Sequence, residues 1–417
     1  MRIKCIALII ISSFMLACGG SGSGDGGIPS FNIYYSVAVG DLNGDGLLDV
    51  TACYSYISGP PPHPGYVVVY LQDPAHPGTF LAAKIYPVGN DPTSIAISDL
   101  NGDGRLDIVT ANSILSADGY GASTVSVLLQ DSNAPGKFLP ASNYATGTNP
   151  VFVTIGDLNG DGRTDLAVAD RDGISVLFQN PASPGTFLPR TPISVGGATS
   201  SVAIADVNGD GKQDLVATRW TGVVLVILQD PSVVGSFLTP TSYIVGAQPY
   251  SSAVGDLNAD GKPDLAISLF GSVDNGSGAG VAVLLQNPSL AGSFLSPVHY
   301  NTEVRPEAVV IADLIGDGKA DLVVSNSGGL AGICPPNCGS AGTSVSILFQ
   351  MPAFPGQFQN AINYPATGSS FITWVAVGDI NDDGRPDLVI AQADGLLLRL
   401  QDPLHPGQFL AAVPIPR

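Results

Sequence analysis

Apolar residues fall in short runs of five to seven along most of this chain, and each run is closed by a polar loop or a proline–glycine turn. One set of runs alternates in character: "SVAVGD", "SIAISD", "FVTIGD", "SVAIAD", "SSAVGD", "VVIAD" and "WVAVGD". A second set follows an Asp-rich loop: "LDVTA", "LDIVTA", "DLAVA", "DLVAT", "DLAIS", "DLVVS" and "DLVIA". A third ends in glutamine, as in "YVVVYLQ", "TVSVLLQ", "GISVLFQ" and "GVAVLLQ". A turn such as "DPAHPGTF" or "NPASPGTF" then leads to a fourth, less regular run. Short β-branched runs bounded by turn residues are the signature of strands. The near-continuous apolar character of the second and third sets suits strands covered on both faces.

The order of sets repeats seven times, so the period defines the architecture. The first Asp of the polar loop falls at 41, 99, 157, 206, 256, 313 and 379, with spacings of 49 to 66 residues. A lone 50-residue sheet buries too little surface to stand alone, and β-helix coils are shorter than this period. The pattern predicts an all-β fold, a seven-bladed β-propeller with four antiparallel strands per blade. Residues 31–417 form it, with blades at about 36–90, 94–148, 151–197, 200–247, 250–304, 307–369 and 372–415. The manner of ring closure is open; residues 31–35 ("FNIYY") are candidates to pair with the last blade.

The polar loops read "DLNGDGLLD", "DLNGDGRLD", "DLNGDGRTD", "DVNGDGKQD", "DLNADGKPD", "DLIGDGKAD" and "DINDDGRPD". Calcium takes 6 to 8 oxygen ligands, which a compact loop supplies from alternating positions. Side chains at positions 1, 3, 5 and 9 and the carbonyl of position 7 are the expected donors, between the first and second strands of each blade. In loop 1 they are Asp41, Asn43, Asp45, Leu47 and Asp49; in loop 2 Asp99, Asn101, Asp103, Arg105 and Asp107. Loop 3 offers Asp157, Asn159, Asp161, Arg163 and Asp165; loop 4 offers Asp206, Asn208, Asp210, Lys212 and Asp214. Loop 5 offers Asp256, Asn258, Asp260, Lys262 and Asp264; loop 7 offers Asp379, Asn381, Asp383, Arg385 and Asp387. Loop 6 retains Asp313, Asp317, Lys319 and Asp321 but carries Ile315 at position 3, so six sites are expected and a seventh is weakened. An EF-hand needs Glu at position 12, where Ala52 and Ala217 stand, and a helix where these β-rich runs stand. Glycine at position 6 allows the sharp turn, and Ala259 at position 4 of loop 5 is expected to be harmless.

Seven "DxNxDGxxDL" loops, each preceded by a "VAxxD" strand, resemble the FG-GAP or VCBS repeats of the integrin α-subunit propeller and its bacterial relatives. The resemblance covers about residues 33 to 417. It implies a calcium-braced propeller with ligand bound on the face opposite the Asp loops; such propellers host many roles.

Composition agrees with that fold. The sequence holds 51 Gly, 33 Pro and only 12 % charged residues, with Glu303 and Glu307 its two glutamates. Its formal net charge is −19, and positions 1, 5 and 9 of the loops hold 21 of its 33 Asp residues. The acidity is therefore metal-site chemistry, and the lack of a basic patch argues against nucleic acid. Residues 1–17 read as a lipoprotein signal peptide, "MLAC" placing the lipidation site at Cys18. Residues 18–30 read as a Gly/Ser tether. The expected location is a bacterial envelope, lipid-anchored at the outer membrane or cell surface, with membrane contact through the anchor alone; plain secretion is the alternative. Cys334 and Cys338 in "CPPNC" are a possible disulfide, and Cys53 a buried structural thiol.

Loops joining second to third strands vary in length, which places binding on that end. Candidate ligand contacts are Tyr54, Tyr56, Tyr120, Arg219, Trp220 and Phe270, with Trp220 expected to be exposed in the "TRWTG" turn. Trp374, in a first strand, is expected in the core. These features favour a binding or adhesion module for an extracellular or envelope protein or glycan. The alternatives are a calcium-dependent polysaccharide lyase or glycosidase, or a structural subunit of an envelope complex. No catalytic residue is selected, because no carboxylate pair among Asp118, Asp170, Asp172, Asp274, Glu303, Glu307 and Asp394 stands out by spacing.

Overall fold

A computed structural model describes residues 31–57, 62–113, 123–272, 277–328, 343–366 and 371–416. The expectations placed on Cys18, Tyr120, Cys334 and Cys338 lie outside those residues. Seven four-stranded antiparallel sheets are present, each built from four consecutive strands. Among the described residues there is no α-helix.

First strands pack against one another in a closed ring. The members are Phe31–Gly40, Pro92–Ser98, Phe152–Gly156, Ser201–Ala205, Pro249–Gly255, Pro306–Ala312 and Ile372–Gly378, the last touching the first. Second and third strands are buried on both faces, as in Asp107–Asn112 and Thr124–Leu128. Fourth strands such as Ser142–Ala145 are largely exposed and form the outer wall. Apolar clusters span pairs of adjacent blades, so the core is a series of inter-blade seams. Trp374 of blade 7 and Phe152 of blade 3 meet with ring centroids 5.5 Å apart. Those blades are not neighbours, so the two rings span the axial channel.

Closure uses packing instead of strand exchange. Residues 31–35 do not pair with the last blade: Phe31 to Tyr34 pair with Ile57 to Tyr54 inside blade 1. The ten-residue first strand extends far enough for Tyr34 N–H to reach the Ala393 carbonyl at 3.3 Å. The Thr373 hydroxyl donates to the Tyr34 carbonyl at 3.1 Å. Ile33 and Ile57 pack with Phe371 and Ala393 across the same seam. Cys53 is a buried free thiol, pushed up to about 12 by burial.

A hydrogen-bond relay runs around the ring at the Asp-loop end. Each second strand begins with the position 9 Asp of its loop, fully buried or nearly so. One carboxylate oxygen accepts the N–H of loop position 2, for example Leu42 to Asp49 at 2.8 Å. The other accepts the N–H of the glutamine closing the third strand, Gln72 to Asp49 at 2.7 Å. The next blade's glutamine then reaches back. Gln130, Gln179, Gln229, Gln286, Gln350 and Gln401 donate to the position 2 carbonyls of Leu42, Leu100, Leu158, Val207, Leu257 and Leu314 at 2.7–2.9 Å. Each glutamine, Gln72 at the closing junction included, also donates to the position 8 carbonyl of its own blade's loop.

Truncating one glutamine leaves a buried carbonyl without its donor, which costs about 1–3 kcal/mol. Gln229→Ala is expected to lower stability by about that amount, read as a shifted denaturant midpoint with an unchanged slope. An unfolding free energy within about 0.3 kcal/mol of the parent would mean the relay carries no weight.

Candidate functional site

The seven Asp loops share one local structure. Asp41 at position 1 accepts N–H bonds from Asn43, Gly44 and Asp45 through one oxygen and from Gly46 through the other. Asn43 accepts from Asp45 N–H at 2.9 Å, and Asp45 accepts from Leu47 N–H at 2.9 Å. The polypeptide is left-handed at positions 4 and 6 alike, Gly44 at φ 78° and Gly46 at φ 89°. Sequence reading assigned this need to position 6 alone. At position 4 of loops 5 and 7, Ala259 (φ 60°) and Asp382 (φ 56°) adopt it at a backbone cost. Ala259 is therefore strained instead of neutral.

Each loop also meets the following blade. A Cβ on Gly136 of blade 2 would lie 3.1 Å from the Asn43 Cβ, and one on Gly292 of blade 5 would lie 3.0 Å from the Asn208 Cβ. The glycine two residues before the turn's phenylalanine is thus required for the turn to lie over loop position 3. Ile315 takes that place under Gly407 and is 39 % exposed.

The position 9 carboxyls are pushed up to about 6. Burial is the main cause, opposed by the two backbone N–H bonds and reinforced by the negative charges at positions 5 and 1. Position 7 cations offset some of that charge: Arg163 pairs with Asp161 at 2.8 Å, Lys319 with Asp317 at 2.8 Å and Arg385 with Asp383 at 3.1 Å. Arg105 pairs with Asp103 in the same way. Among the described residues no three His, Cys, Asp or Glu side chains form a group that could hold a metal by themselves. The donor set of six loops is nevertheless all oxygen, mixing carboxylates with an amide and a main-chain carbonyl, while loop 6 lacks the amide because Ile315 stands at position 3. That chemistry, with the mutual repulsion of the carboxylates, fits a hard divalent cation.

Opposite the Asp loops lies a cluster that does not repeat. Trp220, in the turn after Asp214–Arg219, sets its ring edge-on to Tyr250 at 5.2 Å and to Phe270 at 6.2 Å. Tyr250 stacks on Phe270 at 5.9 Å, and the Arg305 guanidinium lies 5.7 Å from the Phe270 ring centre. Trp220 is half-buried instead of exposed, because its ring packs against its neighbours in blade 5. Phe270 is 2 % exposed and serves as the floor. Tyr250 and Glu307 occupy the same register at a bulge in the first strands of blades 5 and 6. Smaller residues hold that register in blades 2, 4 and 7, where Thr93, Ser200 and Thr373 donate to main-chain carbonyls of the next blade. Neither Tyr250 nor Arg305 was singled out from sequence; the departure from Thr and Ser at the bulge was the available signal.

Other candidates fall elsewhere. Tyr54 is buried between Tyr34 and Tyr66 at ring distances of 5.1 and 5.3 Å, so it is core. Tyr56 is 39 % exposed in blade 1, away from the blade 4–6 cluster. Arg219 turns from Trp220 toward blade 3, donating to the Gly196 carbonyl at 2.7 Å. Asp170 accepts from its own turn, at 2.6 Å from Ser175. His63 and Asp91 form a buried pair at 2.8 Å that ties the connector between blades 1 and 2.

Seven radial sheets of four strands, with an Asp loop after each first strand, define a repeat propeller. The chain belongs to the FG-GAP-like repeat family, whose model matches residues 56–110, 114–168, 157–217 and 206–267. No curated protein matches the sequence. Among solved structures, it is similar to an Agrocybe aegerita lectin described for specific recognition of non-reducing terminal N-acetylglucosamine. The two share 18 % identity over 91 % of this chain and 93 % of that one, with a TM-score of 0.56. Sqt1 from Chaetomium thermophilum shares 14 % over 93 % and 89 %, at 0.51. Rhamnogalacturonan lyase YesW shares 14 % over 88 % and 71 %, at 0.50. At such identities the likeness is one of fold.

Burial pushes Glu307 up to about 8, while the Ser327 hydroxyl and the Arg305 charge pull it down. A carboxyl whose pKa is higher folded than unfolded holds its proton more tightly in the native state. Its contribution is complete below about pH 4.5 and is lost as pH rises toward about 8. Glu307→Gln should therefore gain stability relative to the parent across that window, by about 1–3 kcal/mol at its upper end. Melting curves collected from about pH 4 to pH 8 check this; a difference independent of pH would refute it.

Proposed function

We propose that this protein is a calcium-stabilised, extracytoplasmic propeller that binds carbohydrate on the face opposite its Asp loops. The observation that carries the reading is the unrepeated cluster of Trp220, Tyr250, Phe270 and Arg305, drawn from three blades of an otherwise regular ring. The partly exposed rings of Trp220 and Tyr250, seated on buried Phe270 and Arg305, suit the apolar face of a sugar. A lectin with the same fold supports the choice of ligand class. A glycosidase would need a second carboxyl group beside Glu307, since glycoside hydrolysis uses a pair.

Calcium, in this reading, is held by the donors at loop positions 1, 3, 5, 7 and 9. It supplies positive charge where the position 1, 5 and 9 carboxylates repel one another. Because each loop also contacts the following blade, the ion stabilises the seam as well as the hairpin. The export signal and the Cys18 lipid anchor complete the proposal, placing the binding face in the envelope.

Two measurements test it. Excess chelator should lower the melting temperature by ten degrees or more, on the order expected when several bound ions are lost; an unchanged melt removes calcium from the account. On a glycan array, residues 28–417 should give a calcium-dependent signal that Trp220→Ala reduces by about tenfold or more. A protein hit with no glycan signal would move the ligand class to protein.

A further inference from the structure

The outer seams between blades are also closed by a repeated contact, and two seams lack it: the closing one, where Ile415 holds the tyrosine register and Phe80 packs against Tyr70 of its own blade, and the one between blades 3 and 4. At five junctions a fourth-strand tyrosine meets, edge-on, the phenylalanine that follows the next blade's glycine turn. The pairs are Tyr86–Phe138, Tyr144–Phe187, Tyr243–Phe294, Tyr300–Phe358 and Tyr364–Phe409, with centroids 5.4–5.8 Å apart. In two of them the tyrosine hydroxyl accepts the phenylalanine N–H, at 3.4 Å for Phe138 and 3.2 Å for Phe294. Those five phenylalanines are 3–8 % exposed.

At the junction of blades 3 and 4 the register position of the tyrosine is Ile193, opposite Ile174 as Tyr243 is opposite Val224. Phe237, its expected partner, is only half-buried. A cleft of about 420 Å³ opens between Thr191–Ser194 and Gly235–Pro240, with Ile193 and Phe237 in its wall. It adjoins, through Ser194 and Pro240, a second cleft of about 450 Å³ that ends at Arg219. The Arg219 guanidinium donates to the Val195 and Gly196 carbonyls, and no described carboxylate lies within ion-pair distance of it. Its Nε is buried without a hydrogen-bond partner.

The seam thus retains the phenylalanine that receives a phenol elsewhere, a shortened side chain where the phenol's stem would be, and an uncompensated cation nearby. The two clefts share Ser194 and Pro240, so a ring in the first can carry an acid on a short aliphatic spacer toward the second. The volume lies within the range of small-molecule sites. We propose that the cleft between blades 3 and 4 binds a negatively charged, phenol-bearing small molecule, its ring against Phe237 and its acid toward Arg219. The site uses none of Trp220, Tyr250, Phe270 and Arg305, although Arg219 and Thr221 flank Trp220 in the chain, and it does not depend on the carbohydrate reading.

The probe is 3-(4-hydroxyphenyl)propanoate, with 3-cyclohexylpropanoate as the comparator, followed by calorimetry and saturation-transfer NMR on the full propeller. The parent should bind the phenol with a dissociation constant on the order of 1 mM or tighter, and the comparator about tenfold more weakly. Ile193→Tyr restores the repeat's own phenol. It should keep its circular dichroism, melt higher than the parent and lose the probe. Arg219→Met should weaken the probe by about tenfold without restoring the seam. No saturation transfer to the parent overturns the proposal, as does a folded Ile193→Tyr protein binding within about threefold of it. Should Ile193→Tyr fail to fold, unchanged affinity in Arg219→Met overturns it equally.

Discussion

The buried carboxylate at loop position 9 is the interaction on which the ring depends. It ends the Asp loop, begins the second strand, and accepts backbone N–H groups from the loop and from the third strand together. One side chain therefore sets the geometry of three strands. The glutamine it holds in place reaches the preceding blade, so local hairpin structure and ring assembly share one hydrogen-bond chain. A carboxylate is suited to this because it accepts several N–H bonds at once, and such bonds are stronger than neutral ones. The same burial and the neighbouring Asp charges raise its pKa, which makes the loop end the place where a cation would relieve most electrostatic strain.

That division of labour separates the two ends of the molecule. At the Asp-loop end every blade carries the same position 9 Asp and third-strand glutamine, and the glutamine joins six of the seven junctions. At the opposite end the bulge register needs only a group that can satisfy the next blade's carbonyl or be packed against it. Thr93, Ser200 and Thr373 do the first, while Tyr250 does the second. Freedom at that register is what allows the aromatic cluster and the buried Glu307 to exist. The outer wall is constrained differently, since a fourth-strand tyrosine closes most seams and its replacement by Ile193 leaves a cleft instead of breaking the ring.

Much of the architecture was legible because its causes are local and repeated. Alternation, the Asp loops and the proline–glycine turns name the strands, their number per blade and the number of blades. The repeated final glutamine was equally visible, yet its role was not, because its partner lies about 80 residues away in another blade. Position 4 of the loop was misjudged for a related reason: a φ requirement shows only in the folded turn, where Ala259 and Asp382 bear it.

What the sequence determined by itself, then, is the repeat: which residues form strands, where the Asp loops fall between them, and that seven units make one body. Periodic patterns carry such information because each unit obeys the same short-range rules. Tertiary structure alone decided which non-repeated residues meet. It turned Trp220 from an exposed turn residue into a member of an aromatic cluster, sent Arg219 toward blade 3, buried Tyr54 and Phe270, and set Phe152 against Trp374 across the axis. Those contacts join residues from different blades, and no spacing along the chain encodes the rotation that brings separate blades together.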